Sequence, residues 1–437
     1  MTMALTGIVT TDLAAITRGR WVPAARYEAG DDGGIGWLPA NLSLTPFGGI
    51  ATPNPWGSTG DLRVVADRAA RYRTGATGSA TPFDIVMGDI VELDGTPWRC
   101  CPRTLLRDAV AALQAETGLT LRIAIEQEFQ IFGAGFPAAH PLSVAALRRA
   151  DPFAPQLMAA LAEAGVDPEV VLAEFGTDQF EVTCSPADPV AAADRAIAIR
   201  EIVREIAGVR GWQVSFAPKT AVDAVGNGVH IHFSLTDADG RPAGYDGGQP
   251  GGLSPRGAAF CAGILRHLPA LTMFSAPSVA SYYRLRPQGW SASWTWLADR
   301  DREATLRVCP TTTIDGRDPA RQHNIEYRAA DATANPYVAI AALIRAGLGG
   351  LADRLPPPPV VVDHPDTLDS AACAALNLRR LPETLDDAIA AWQADLAAHG
   401  WFPPDFAETW LGVRRAELAR LAGLSPDEAC QLYRDLY

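Results

Sequence analysis

The chain has 437 residues, of which 48% are hydrophobic and 20% are charged, and its formal net charge is −13. This length exceeds the usual size of one compact core and predicts two domains. The negative charge argues against a nucleic-acid partner, which needs a basic face, but a local basic pocket for an anionic substrate is compatible with it.

The seven cysteines are scattered, odd in number and without a CxxC pair. This pattern argues against a disulfide framework or a zinc ribbon and favours a reducing compartment. The N-terminal twenty residues have no basic segment before their apolar ones, and Asp12 interrupts them, so we expect no signal peptide. The longest uncharged run, 33–60, is broken by prolines and predicts a loop, not a membrane helix. We therefore expect a cytoplasmic protein with no membrane partner.

Strand and helix patterns alternate along the chain. A strand pattern in residues 1–20, the loop at 33–60 and a hairpin pattern around Asp94-Gly95 come first. Pro102 then opens a helical pattern that ends at Gly118. We place a domain boundary there, between residues 1–101 and 102–437.

The second part of the chain begins with a strand pattern at 119–132 and continues with further strands and helices. The stretches "GVHIHFSL" and "EATLRV" have strand character, whereas "PVAAADRAIAIREIVREIAGVRG" and "NPYVAIAALIRAGLGGL" have helical character. The run "LPPPP" at 355–359 predicts a break, and helical patterns follow it.

Acidic residues are paired at two places. Glu126 and Glu128 stand two apart in a strand pattern, so both point to one face, which would be either a solvated face or a site with a compensating cation. Glu174 and Glu181 flank a predicted bend, which could bring both carboxylates to one place or simply expose them to solvent.

Two of only seven histidines, His230 and His232, share one face of a predicted strand after the glycines Gly226 and Gly228. A single core histidine would be unremarkable, but an alternating pair after a glycine turn favours ligands, because glycine lets the backbone approach a bound group.

Glu326 and Arg328 alternate on another strand, either as an internal salt-bridge ladder or as part of the same site. Further arginines, whose fork suits carboxylates and phosphates, stand at Arg284, Arg302 and Arg307. Carboxylates, histidines and arginines together suit one or two oxygen-preferring divalent cations and a polyphosphate. The sequence has neither a GxxxxGK[ST] loop nor a complete GxGxxG.

The order of these motifs is E-x-E, E-x6-E, PK…GNGxHxHxSL, SYxRL, R-E-A-x-L-R and IExRxxDxxANPY. This ordered series resembles the glutamine synthetase family over most of the chain. The resemblance implies an α+β fold with an N-terminal β-grasp domain and a catalytic domain built on a curved antiparallel sheet. It also implies a homo-oligomeric ring, commonly a dodecamer of two hexamers, with active sites between neighbouring subunits.

The family activates the γ-carboxylate of glutamate with ATP and then lets an amine displace phosphate. The resemblance implies two or three Mg2+ or Mn2+ ions, one held by Glu128, Glu174 and Glu181 and another by Glu126, His230 and Glu326. It implies ATP contacts from His232, Arg302 and Arg321. It places Gly226, Arg284 and Arg328 at glutamate, and Arg302, Arg307 and Glu326 at the reacting phosphoryl group.

The departures from the family concern the amine. Ammonia-using members have an acid in the N-terminal loop and another in a mobile flap, but residues 33–60 and 282–297 contain none here. A desolvated ammonium needs paired negative charge. The flap, residues 285–296, instead carries Trp290, Trp294 and Trp296, of which Trp290 stands near the position of the missing acid. These rings either pack in the core or face a larger amine, for which cation–π attraction contributes about 0.5–2 kcal/mol.

We therefore expect an ATP-dependent ligase that joins glutamate to an organic amine, such as an alkyl-, poly- or arylamine. One alternative is an ammonia-using glutamine synthetase that recruits its acids elsewhere, for example Asp61 or a neighbouring subunit. An alternative of another class is a non-catalytic oligomeric binding protein.

Overall fold

The computed structural model describes residues 3–30 and 33–437. Its N-terminal elements are β1 Leu5–Thr11, β2 Thr17–Pro23, α1 Ala24–Glu28, β3 Ile35–Trp37, β4 Leu62–Thr74 and β5 Phe83–Val91. These strands form one sheet in the order β2-β1-β5-β4-β3, in which β1 and β5 run parallel and the other neighbours run antiparallel. A central parallel pair between two hairpins is the strand arrangement expected of the β-grasp domain.

The hairpin predicted around Asp94-Gly95 is only partly correct. Strand β5 ends at Val91, and the returning chain makes just an isolated bridge between Val91 and Pro97. The chain then turns away from β5, because the amide of Cys101 donates to the carbonyl of Trp98 at 2.9 Å and α2 begins at Pro102.

The second part of the chain contains longer helices and a larger sheet. Its elements are α2 Pro102–Thr117, β6 Leu119–Phe132, α3 Val144–Arg148, α4 Phe153–Glu163, β7 Pro168–Ala173, β8 Gln179–Cys184, α5 Pro189–Val209, β9 Gln213–Ser215, β10 Val229–Asp237, α6 Pro255–Ser275, α7 Ser281–Arg284, β11 Leu297–Asp299, β12 Leu306–Val308, α8 Pro319–Gln322, β13 Ile325–Tyr327, α9 Pro336–Ala352, α10 Ser370–Ala375, α11 Leu385–Ala394, α12 Pro404–Leu421 and α13 Pro426–Leu436. The predicted helix after Pro102 is confirmed, and Gly118 ends it in the left-handed conformation with φ of 69°.

The large sheet has the order β11-β12-β13-β10-β6-β8-β7, and β9 pairs with the end of β6. All neighbours are antiparallel except β11 and β12, which run parallel, so the expected antiparallel sheet is confirmed apart from this edge. Val229, Ile231 and Phe233 of β10 face the core, which leaves the alternate residues of that strand on the opposite face.

Helices α6 and α9 cross at very short range beneath this sheet. A Cβ atom on Gly263 would lie 2.3 Å from the carbonyl oxygen of Ala346 and 2.6 Å from the amide nitrogen of Gly350. Within the described residues, α6 is long and apolar enough to span a membrane, but 78% of its most apolar window is buried inside the protein. Packing therefore accounts for its composition.

Buried polar groups fasten the two parts of the chain together. Arg103, 3% exposed, donates to Asp194 on α5 at 3.0 and 2.8 Å and reaches Asp67 and Asp89 of the N-terminal sheet. Asn335 caps α9 by accepting from the amides of residues 337 and 338, and its own amide donates to the carbonyls of residues 11 and 12. The N-terminal sheet is thereby held against the second part of the chain.

Candidate active site

Strand register brings the predicted carboxylates and histidines into one row across the large sheet. Each strand contributes one or two side chains, and each faces a partner on the neighbouring strand. The cross-strand pairs are Glu181–Glu128, Glu126–His230, His232–Glu326 and Glu326–Arg307. Residues separated by up to 200 positions in the chain therefore share one face of one sheet.

Glu126 lies between the two histidines. Nδ1 of His230 is 2.8 Å from one of its carboxylate oxygens, and Nε2 of His232 is 3.0 Å from the other. Burial acts to raise the pKa of Glu126, but hydrogen bonds and charge attraction from both histidines outweigh it and hold that pKa well below its usual range.

Two triplets in this row have ligand atoms within 4.8 Å of one another: Glu126, His232 and Glu326, and Glu126, Glu181 and His230. Carboxylate oxygens with imidazole nitrogens suit Mg2+ or Mn2+. Proximity alone does not separate the two histidines, because His232 lies as near to Glu126 as His230 does.

The side chain of His232 is oriented by Asn324, which directly precedes β13. Oδ1 of Asn324 lies 2.8 Å from Nδ1 of His232, which directs Nε2 towards Glu126. An imidazole fixed at one nitrogen presents the other to a cation or a phosphate in a defined direction.

The pKa values of Glu128 and Glu181 are raised, in contrast to that of Glu126. Burial, with repulsion from neighbouring carboxylates including Glu174, raises the pKa of Glu181 to about 9. Burial likewise raises the pKa of Glu128 to about 7, against the backbone N–H of Gly228, which donates to it at 2.8 Å. Such a group of carboxylates is stabilised by a divalent cation, which offsets the repulsion.

Glu326 is 1% exposed and lies between two guanidinium groups. Arg307 donates to one of its oxygens at 2.7 Å, and Arg328 forms an ion pair with the other. Burial opposes ionisation of Glu326, but attraction from His230 and Arg328 lowers its pKa to about 2. Glu326 therefore stays charged and orients both arginines.

Arg284 and Gly226 meet at the other end of the row. Arg284 is 6% exposed and donates to the carbonyls of Ala330 at 2.6 Å and Ala329 at 3.0 Å. A Cβ atom on Gly226 would lie 2.7 Å from Cγ of Arg284, so glycine lets this loop pack against the aliphatic part of that side chain.

Arg302 and Arg321 lie outside this group of contacts. Arg302 is exposed on the turn before β12. Arg321, on α8, lines a cavity of about 280 Å³ together with Ser234, Tyr245 and His323. Ser234 follows His232 on the same face of β10, so this cavity adjoins the row of ligands.

The three flap tryptophans have different environments. Trp296 is 1% exposed and donates to the carbonyl of Val361, so it is a core residue. Trp294 packs under the guanidinium of Arg380, which lies 4.3 Å from its ring centroid. Trp290 is 63% exposed, and its ring centroid lies 6.0 Å from that of Phe175, which is also exposed.

Three residues of the site were not identified from the sequence. Phe175 follows Glu174 directly, and Glu303 lies inside the R-E-A-x-L-R motif, of which only the arginines are predicted site residues. Cys309 follows β12, and its sulfur lies 3.6 Å from Nδ1 of His232. Phe175 and Glu303 lie within the motifs, but the contacts of all three residues are made with other segments of the chain.

Comparison with known proteins agrees with this geometry. The glutamine synthetase N-terminal domain model matches residues 2–98, and the glutamine synthetase catalytic domain model matches residues 99–432. A γ-glutamylpolyamine synthetase of Streptomyces coelicolor is 36% identical over 438 residues, which cover 98% of this chain and 92% of the relative.

Two solved structures are also similar over nearly the whole chain. The crystal structure of a novel glutamine synthase homologue has a TM-score of 0.91 at 44% identity and covers 100% of this chain and 99% of its own. The ADP complex of GmaS has a TM-score of 0.80 at 25% identity and covers 97% and 95%. The expected fold class is therefore confirmed, and the chain belongs to the glutamine synthetase family.

Proposed function

We propose that the chain is an ATP-dependent ligase that joins the γ-carboxylate of glutamate to an organic amine. The observation that carries this proposal is the row of carboxylates and histidines across one sheet, with Arg307 and Arg328 paired to Glu326 and Arg284 held beside them from α7. Anionic groups for cations beside fixed guanidinium groups suit phosphoryl transfer, which needs positioning and charge neutralisation more than a protein nucleophile.

The proposed ligands of the divalent cations are the side chains of the row. One cation would lie with Glu128, Glu174 and Glu181, and another with Glu126, His230 and Glu326. The raised pKa values of Glu128 and Glu181 support this assignment, because they mark buried carboxylates whose charge is further disfavoured by neighbouring carboxylates. Bound Mg2+ or Mn2+ would neutralise the charge on the ATP phosphates.

ATP would lie between the row and the cavity beside it. The assignment of Arg321 to ATP is supported by its position in that cavity, which Ser234 connects to His232 along β10. His232, held by Asn324, would contact phosphate, and exposed Arg302 would cover the transferring group together with Arg307. The ADP complex of GmaS is a similar protein that binds a nucleotide of this class.

Glutamate would bind between Arg284, Arg328 and Gly226. The Nε atoms of both arginines are buried and, among the described residues, have no hydrogen-bond partner. Buried donors without partners are costly, so an anionic ligand that accepts from them is favoured. A dicarboxylate amino acid supplies such acceptors.

The reaction then has two steps. The γ-carboxylate oxygen of glutamate attacks the γ-phosphorus of ATP, and ADP leaves. The amine nitrogen attacks the acyl carbon of γ-glutamyl phosphate and passes a proton to water, the bond between the acyl carbon and the phosphate oxygen breaks, and phosphate leaves. Arg307 and Glu326 would serve as catalytic residues, Arg307 at the phosphoryl oxygens and Glu326 by fixing the guanidinium groups on either side.

The amine would enter beside Trp290 and Phe175. Their exposed rings supply apolar contact and cation–π attraction to an alkylammonium chain. The γ-glutamylpolyamine synthetase, which is 36% identical, makes a polyamine the first substrate to test. Glu303 does reach the flap, but Oε1 accepts from the amide of Trp290, while Oε2 accepts from that of Gln288 and contacts His364, so it does not supply a free carboxylate for ammonium.

The proposal also covers the oligomeric assembly, the domain division and the location of the protein. We infer a homo-oligomeric ring of two hexamers with active sites between subunits, and a division of each subunit into residues 1–101 and 102–437. The junction of the two family models at residues 98 and 99 supports this division. All seven cysteines lie within the described residues and are buried and free, which supports a reducing, cytoplasmic setting.

The test is ADP release with glutamate, ATP, Mg2+ or Mn2+ and a panel of amines: ammonium, methylamine, an arylamine and di- and polyamines of increasing length. We expect turnover with an alkyl- or polyamine at concentrations where ammonium gives little. Turnover with ammonium and with no organic amine would refute the substrate assignment. Absence of ADP release with every amine would favour the non-catalytic alternative.

A further inference from the structure

A glutamate from a neighbouring turn holds the backbone of the flap. Oε1 of Glu303 accepts from the amide of Trp290 at 3.2 Å, and its Oε2 accepts from the amide of Gln288 at 3.2 Å. Both donors have positive φ, 59° at Gln288 and 52° at Trp290. Non-glycine residues in this conformation are strained and persist only where surrounding contacts hold them.

Glu303 is itself fixed from two other directions. Nε2 of His364 lies 2.9 Å from Oε2 of Glu303, and the His364 ring stands edge-on to Trp296, 5.1 Å between centroids. The amide of Glu303 donates to Oδ1 of Asp301 at 2.8 Å, which closes the turn that carries Arg302. The carboxylate is thus anchored to the core through His364 and to this turn through its own backbone.

The flap held by Glu303 contacts both sides of the proposed site. The carbonyl of Trp290 accepts from Arg328 at 3.3 Å, and the Trp290 ring packs against Phe175, next to Glu174. The side chain of Glu303 is only 17% exposed, so its hydrogen bonds are partly shielded from water.

We propose that Glu303 is a positioning residue that fastens the flap to the Arg302 turn. Glu303 thereby fixes the rings beside which the amine would enter, Trp290 and Phe175, relative to Arg302, which would contact the phosphoryl group. The parts of this inference that concern the amine and the phosphoryl group rest on the proposed function, whereas the fastening of the flap to the Arg302 turn does not.

The first test is hydrogen–deuterium exchange of flap residues 286–291 in the absence of substrates. Glu303→Ala removes both acceptors, and we expect these amides to exchange about tenfold faster, as for the loss of hydrogen bonds to a charged group. Glu303→Gln keeps an acceptor oxygen at the same position and should restore part of the protection. Glu169→Ala, at an exposed position of β7, is the matched control and should leave the flap unchanged. Wild-type exchange rates in Glu303→Ala would overturn the proposal.

The second test is steady-state ADP release. In Glu303→Ala we expect the KM for the amine to rise about tenfold and the KM for glutamate to change less than about twofold, because Arg328 keeps its ion pair with Glu326. Partial rescue by Glu303→Gln separates positioning from simple loss of stability. An unchanged amine KM in an active Glu303→Ala enzyme would also overturn the proposal.

Failure of the proposed function and failure of the role of Glu303 give different results. If the wild-type protein releases no ADP with any amine, the proposed function fails, and the exchange measurement alone decides the role of Glu303. If Glu303→Ala does not fold, His364→Ala, which removes one of the contacts of the carboxylate, should accelerate flap exchange by a smaller factor, and unchanged exchange in that variant would count against the proposal.

Discussion

Replacing Glu181 with glutamine should have opposite effects on the metal-free and the metal-bound protein. Burial and repulsion from Glu126 and Glu128 raise the pKa of Glu181 to about 9 from its ordinary value of 4.5. The folded protein therefore keeps a proton that the unfolded chain loses above pH 4.5. The free energy of unfolding falls by about 1.4 kcal/mol per pH unit between these two values as pH rises.

Relative to a protein in which the pKa of Glu181 is not raised, this effect lowers the free energy of unfolding by about 3 kcal/mol at pH 7 and by less than about 1 kcal/mol at pH 5. Glutamine has no such proton equilibrium. We therefore expect metal-free Glu181→Gln to be more stable than the wild type at pH 7 by up to about 3 kcal/mol, and the difference to shrink towards pH 5. Urea unfolding in EDTA at both pH values measures this.

Divalent metal should make the wild type more stable than Glu181→Gln, which is the reverse of the order in the metal-free protein. Bound metal stabilises the folded state by about 2.7 kcal/mol at about 100 times its Kd, and the variant lacks one anionic ligand. We expect Mn2+ to raise the Tm of the wild type more than that of Glu181→Gln. Glu169→Gln, an exposed glutamate on β7, is the matched control and should change neither quantity.

Two results would refute this reasoning. A metal-free Glu181→Gln protein that is less stable than the wild type at pH 7, by an amount that does not depend on pH, would show that Glu181 contributes through hydrogen bonding and not through repulsion. An equal rise in Tm on addition of Mn2+ would show that Glu181 is not a ligand.

Three further predictions concern other parts of the molecule. His230→Ala should raise the metal concentration needed for half-maximal ADP release, whereas His232→Ala should mainly raise the KM for ATP; identical metal and ATP titrations would contradict the division of roles. Trp290→Ala and Phe175→Ala should each raise the amine KM, and because the rings are in contact the double variant should fall short of additivity by about 1 kcal/mol; strict additivity would argue against a shared amine contact. Arg103→Ala should lower the free energy of unfolding by about 3–5 kcal/mol, because it leaves a buried carboxylate unpaired; a loss below about 1 kcal/mol in urea unfolding would contradict this.

The sequence by itself determined the reaction class and most of the site. The alternation of Glu126 with Glu128, and of His230 with His232, follows from the two-residue period of a strand, which is a local property. The helix that begins at Pro102 and ends at Gly118 is local in the same sense, because proline and glycine restrict and relax the backbone of their own residues.

Only the tertiary structure decided which of these groups touch and what the flap does. Strand register, set by pairing between distant segments, placed His232 as near to Glu126 as His230. The three flap tryptophans are alike in sequence, yet Trp296 is buried and Trp290 is exposed against Phe175. The role of Glu303 could not be predicted from the sequence, because its partners are backbone amides 13 and 15 residues away. Every residue except proline has such an amide, so no residue type in the sequence indicates the contact.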